Sequence, residues 1–218
     1  MTREARILIP KPCQTENVPP EHPPLITTTP PEWARTVLAH PSELLIDHAF
    51  LEKKAANNAL ELLTRWPGEG CPGWVETLTA IARDETAHLA QVVRLLAKRG
   101  GKLDRIHKNP YANELRLLVR KGGTGEIIDR LLISALIEAR SAERFGVLAS
   151  AARENDEDLG RFYDRLHASE LGHYAVFLRL AGKAADPARV SERWNELLVR
   201  EASILASQSR GPRIHSGF

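Results

Sequence analysis

Four glutamates stand where the helical pattern of this chain calls for apolar side chains, and they constrain its fold more than any other feature. After Trp33 apolar residues recur every three or four positions, the signature of helices that each bury one face. His48 and Glu52 fall on the first such stripe, between Leu45 and Ala59; Glu85 and His88 fall on the second, between Ile81 and Val92. Glu138 lies on the third, between Ala135 and Ala142, and Glu170 and His173 lie on the fourth, between Leu166 and Phe177. A buried carboxylate costs several kcal/mol unless it is paired, protonated or metal-bound. Four of them in one core are not tolerated as free anions, whereas two divalent cations cancel their charge.

The spacing carries the point further. Glu52 precedes Glu85 by 33 residues and Glu138 precedes Glu170 by 32, and the two halves repeat after 86 and 85 residues. A duplicated helical hairpin with equivalent inward groups produces this pattern. In each half the second helix reads Glu-x-x-His, which puts both side chains on one face. A single Glu from each of two helices plus Glu-x-x-His from each of the other two is the ligand set of ferritin-like di-iron or di-manganese carboxylate bundles. The expected metal ligands are therefore Glu52, Glu85, His88, Glu138, Glu170 and His173. Carboxylate and imidazole donors suit iron or manganese. Asp84 is placed to accept a hydrogen bond from the outer nitrogen of a ligand histidine. His48 and His167 read as core histidines, and Tyr163 as core packing.

The same periodicity predicts helices over 42–66, 72–99, 124–152 and 156–181, and a further C-terminal helix over 187–207. Ser42 and Thr124 are candidate caps, and Pro67-Gly68, Gly100-Gly101 and Gly182 are candidate stops. Helices of this length run roughly 37 Å. Only the connection between the second and third is long, and a short helix over 112–120 is expected inside it. The fold class is thus all-α: a ferritin-like four-helix bundle with one long crossover, an added C-terminal helix and a proline-rich N-terminal arm. The arm is assigned to 1–32, where eight of the fourteen prolines fall, the bundle to 33–208 and a loop-like tail to 209–218.

Two cysteines, Cys13 and Cys71, exclude a disulfide scaffold and any cluster held by four thiolates of this chain. No apolar run reaches the ~18 residues of a membrane span, and no secretory leader is read at the N-terminus, so a cytoplasmic location is expected. From Arg94 to Lys121 there are nine Lys or Arg against Asp104 and Glu114, a local balance of +7 in a chain of net charge +2. Such a crossover attracts phosphates. Lys102, Arg105, Lys108, Arg116, Arg120 and Lys121 are its candidate RNA contacts, with His107 and Tyr111 available to stack on a base.

Several segments carry a family resemblance: Phe50-Leu-Glu-Lys-Lys-Ala-Ala-Asn-Asn-Ala59, Asp84-Glu-Thr-Ala-His88, Pro110-Tyr-Ala-Asn-Glu-Leu-Arg-Leu-Leu-Val-Arg120, Leu136-Ile-Glu-Ala-Arg-Ser-Ala-Glu-Arg-Phe145 and Ser169-Glu-Leu-Gly-His173. Over residues 33–207 the chain resembles the tRNA 2-methylthio-N6-isopentenyladenosine hydroxylases. The resemblance implies two irons on the six ligands named above. It implies oxygen-dependent hydroxylation of the isopentenyl group of the modified adenosine next to the anticodon. It also implies an external electron donor or reductase, because no Gly-x-Gly-x-x-Gly run follows a strand, as a dinucleotide motif requires, and no strand is read. A monomer acting on tRNA, without a membrane, is the expected form. Two other readings use the same residues: a ferritin-like iron-oxidising or peroxide-reducing protein, and a metal-free helical RNA-binding module.

Overall fold

The computed structural model describes residues 23–67, 72–104 and 107–218. Within them lie seven helices and no strand: α1 (Pro31–Leu38), α2 (Pro41–Arg65), α3 (Trp74–Lys98), α4 (Pro110–Leu117), α5 (Gly123–Ala152), α6 (Glu157–Ala184) and α7 (Pro187–Ser207). The two most extensive helix contacts are α2 with α3 and α5 with α6, so the chain folds as two hairpins joined by the crossover that holds α4. This is the ferritin-like arrangement expected above. No described helix is long and apolar enough to cross a membrane.

The boundaries follow local chemistry, with three corrections. Gly100, at φ +79°, closes α3 in a complete Schellman motif: its N–H donates to the Ala97 carbonyl and that of Gly101 to the Leu96 carbonyl. Ser42 is not a cap, because α2 begins one residue earlier with Pro41 in its first turn and His40 before it. Thr124 is likewise inside α5, which starts behind Gly122 without a side-chain cap. Gly182 does not stop α6. A helical glycine costs only about 1 kcal/mol, and the helix continues to Ala184, where Pro187 and its extended predecessors end it. Helix α1, unexpected as a separate element, packs against α5 and α2.

Two apolar cores fill the bundle. One gathers Leu62, Leu78, Leu131 and Phe177; the other gathers Leu45, Val92, Phe145 and Leu166. Along every bundle helix the inward glutamate falls where one core gives way to the other. Helix α5 departs from the simple stripe. It is covered on several sides, and Asp129, Arg140 and Arg144 are fully buried in it. Arg140 donates to both oxygens of buried Glu201 at 2.9 and 3.1 Å, and the Tyr111 hydroxyl donates to the same carboxylate at 2.9 Å. The 209–218 segment has no helix but is far from peripheral. Ile214, His215 and Ser216 are buried; the Ile214 N–H donates to Asp47, and Trp33 donates to the Ser216 hydroxyl.

Candidate metal centre

All six expected ligands are buried and meet in the layer between the cores. They form two overlapping sets, each with its donor atoms within 4.8 Å of one another: Glu52, Glu85, His88 and Glu170, and Glu85, Glu138, Glu170 and His173. Glu85 and Glu170 belong to both. Each set then has one private carboxylate and one private imidazole, the arrangement of two neighbouring cation positions with two shared carboxylates. His88 Nδ1 lies 3.5 Å from Glu52 and from Glu170, and His173 Nδ1 lies 2.8 Å from Glu85.

The fit to metal rests on polar atoms left over. Glu170 Oε1 and His88 Nδ1 are buried without a hydrogen-bond partner, and Glu85 Oε1 and His173 Nδ1, although 2.8 Å apart, are not aligned for one. Such atoms are rare in folded proteins because each forfeits its solvation without return. All four belong to the cluster and all are ordinary metal donors.

The electrostatics agree. Burial, then the charges of Glu170 and Glu85, pushes Glu138 well above the usual carboxylate range. Burial, then Glu85, does the same to Glu170. Burial opposes the imidazolium of His88, but Glu52 and Glu85 outweigh it and carry His88 up to about 9. His173 is likewise raised to about 9 against burial, by Glu85 first. Without a cation the cluster therefore holds protons, and ligation must expel them. Loading a divalent metal at pH 7 is expected to release about two protons from His88 and His173, and more from the glutamates. Calorimetric titrations in buffers of different ionisation enthalpy measure that release, and a value near zero would contradict the assignment. In the metal-free protein the imidazolium contacts stabilise the fold below about pH 6.5 and cease to do so as the pH rises through about 9.

The groups around the cluster mirror one another across the two hairpins. The residue just before each shared glutamate faces the histidine of the opposite hairpin. Ser169 Oγ lies 3.2 Å from His88 Nε2, and Asp84 lies 3.9 Å from His173 Nε2. Asp84 is thus near its expected partner but beyond hydrogen-bond length, and Ser169 is the equivalent that the sequence reading missed. His48 belongs to neither set, yet its Nε2 is 2.6 Å from Glu52 Oε1 and its ring stacks on Tyr163. His167 is tied to the Ala142 carbonyl, away from the cluster.

A narrow cavity of about 50 Å³ reaches the cluster from the α2, α4 and α5 side. Its lining joins Glu52, Glu85, Glu138 and Glu170 to apolar Leu51, Ile137 and Phe145, with Lys54, Asn58 and Arg116 also on its wall. His215, from the tail, completes it, held by Asn109 at 3.3 Å and Ser141 at 3.2 Å. Burial, with Arg144 and Arg140 nearby, keeps this imidazole neutral. A second cavity shares Asn58, Arg116, Ser134 and Ile137 with the first and adds Lys121.

The expected RNA contacts divide. Arg116 and Lys121 are exposed and line these cavities. Lys102 and Lys108 are exposed on the crossover and line neither. Arg105 lies outside the described residues. Arg120 is committed to buried Asp129, which it holds together with Arg193. The proposed base-stacking residues are not free. Tyr111 is fully buried, and His107 lies flat on Phe50 while bonded to Asp47 and Lys54.

Comparison with known proteins adds four findings. The family described as tRNA-(MS[2]IO[6]A)-hydroxylase (MiaE) matches residues 16–216. A Pseudomonas putida (KT2440) protein named tRNA 2-(methylsulfanyl)-N(6)-isopentenyladenosine(37) hydroxylase is 37% identical over 190 residues, which cover 87% of this chain and 90% of that protein. A Salmonella typhimurium (LT2) protein of the same name is 34% identical over 143 residues, 66% of this chain and about half (52%) of that protein. A solved structure titled "Protein 43 with aldehyde deformylating oxygenase activity from Synechococcus" is 35% identical with a TM-score of 0.82, covering 88% of this chain and 96% of that one.

Proposed function

The chain belongs to the tRNA-(MS[2]IO[6]A)-hydroxylase family, and from that premise we propose that it hydroxylates the isopentenyl group of 2-(methylsulfanyl)-N6-isopentenyladenosine at position 37 of tRNA. The observation that carries the reading is the cavity, where an apolar wall, four cluster glutamates and a cationic rim meet. Glu52, Glu85, His88 and Glu170 would hold one iron, and Glu138, Glu85, Glu170 and His173 the other. A methyl C–H has no acidic proton for a side chain to remove, and the bound metals supply the oxygen activation that this bond requires. The balance is one O2, two electrons and two protons in, and one C–OH and one water out.

The protein's own residues do the rest. Leu51, Ile137 and Phe145 exclude water and give a branched hydrocarbon its place beside the carboxylates. His215, held neutral by its surroundings, keeps charge out of that wall. Arg116 and Lys121 meet the phosphates flanking the target nucleotide, which must be splayed out for its prenyl group to enter. The cationic rim favours such a polyanion over a fatty aldehyde, and a ferritin-like iron store has no need of it.

The direct test is mass analysis of nucleosides from modified tRNA after incubation with iron-loaded protein, reductant and oxygen. One added oxygen on the prenylated base is expected. An unchanged mass, with no preference for modified over unmodified tRNA, would overturn the proposal. R116E/K121E is expected to lower tRNA affinity at least tenfold and to reduce the slope of log K against log salt by about 2, with metal content unchanged. Binding assays across a salt series check this.

A further inference from the structure

We propose that the α3/α6 face, on the side of the cluster histidines, is the docking surface for an acidic, one-electron redox protein that reduces the metal pair. The inference rests on the hydroxylase reading, which requires two electrons per turnover from outside a chain whose described residues hold no strand to carry a flavin or nicotinamide motif. With RNA seated over the α2/α4/α5 cavity, that side is closed to a second macromolecule.

The other side is open and differently built. His88 on α3 and His173 on α6 turn Nδ1 toward the carboxylates and Nε2 outward. Among the described residues, only the single layer of Ser169 and Asp84 stands against those outer edges. Ala87 and Gly172 are exposed, and a side chain added at Gly172 would meet nothing within 4 Å. The two imidazoles therefore lie between this surface and the donor cluster.

The same face is cationic. The helices run antiparallel, with Ser169 beside His88 and Asp158 at 3.6 Å from Lys98. Between those points lies an open groove of about 510 Å³ that carries Arg94, Lys98, Arg161 and Arg165 against a single acid, Asp158. Arg94 and Arg165 are exposed and form no ion pair among the described residues. Arg165 lies four residues before Ser169, only ~6 Å along the axis. A patch of one sign beside the electron entry point speeds and orients encounter with a partner of the opposite sign. In each transfer one reduced donor centre loses an electron and one ferric ion gains it. Two such events bring the pair to the diferrous state, with no bond made or broken in the donor.

The test uses full-length iron-loaded protein and, as probe, a reduced plant-type [2Fe–2S] ferredoxin, itself strongly acidic. R94E/R165E, and the neutral R94Q/R165Q, are compared with the parent in three measurements: ferredoxin affinity, stopped-flow oxidation of ferredoxin by the diferric protein, and affinity for an anticodon stem-loop. Ferredoxin binding and reduction rate are expected to fall at least tenfold in R94E/R165E and less in R94Q/R165Q. Reduction by dithionite and stem-loop affinity should stay within twofold. Unchanged ferredoxin kinetics would overturn the proposal, and a parallel loss of stem-loop affinity would assign the face to RNA instead. Failure of the hydroxylase reading shows separately, as absence of product when dithionite replaces the ferredoxin.

Discussion

Glu170→Ala is expected to empty both metal positions at once, whereas Glu138→Ala empties one. The difference follows from membership: Glu170 is in both donor sets and Glu138 in only one. By elemental analysis Glu170→Ala should fall from about two irons per chain to near zero, and hydroxylation should fall below detection. Stability should hardly change in the metal-free state. Glu170 is 2% exposed, and its charge is resisted by burial and by Glu85. Removing it relieves that conflict and leaves a small void, so metal-free Glu170→Ala should be about as stable as the metal-free parent. The parent should gain strongly on iron loading and the variant should not. Retention of two metals by Glu170→Ala would show that this carboxylate is not shared.

Glu201→Ala should be the most damaging substitution away from the metal layer. Glu201 is fully buried and is the two-pronged partner of Arg140, itself fully buried, and the acceptor for Tyr111. Deleting it leaves the guanidinium with only Glu143 and Thr27 for partners, a loss of about 3 kcal/mol, or about 6–12 °C in Tm for a domain of this size. The double variant R140M/E201A removes both charges and should recover much of that loss. Thermal melts of the metal-free single and double variants decide it. A single variant within 1 kcal/mol of the parent would mean that water already shares this site.

The buried carboxylate layer was legible in the sequence because a glutamate on an apolar stripe contradicts its own surroundings, and four at duplicated spacing admit few resolutions. The hairpins followed from the same periodicity. What escaped came from places where periodicity is silent. Arg140, Arg144 and Glu201 were invisible because an amphipathic reading sends charges to solvent, whereas α5 is covered nearly all round. His215 lies in a segment without helical pattern, and only the packed tail brings it to the cavity. Arg120 was taken for an RNA contact because composition counts charges without their partners, and its partner Asp129 is nine residues away. Lys54 and Asn58 carry no signal of their own; they matter because the crossover brings His107 to Lys54, and α4, packed on α5 and α7, sets Arg116 on the wall of the same cavity.

The layer of carboxylates also divides the interior of the bundle into two oily compartments, one at either end of the same four rods. The septum between them is a crowd of carboxyls and imidazoles in which burial and neighbouring carboxylates push Glu138 and Glu170 toward the protonated form. On the proposed function, cofactor delivery would be the closing act of maturation: bound cations would rivet the two ends into one body, and the metal-free molecule would keep its weakest seam between them.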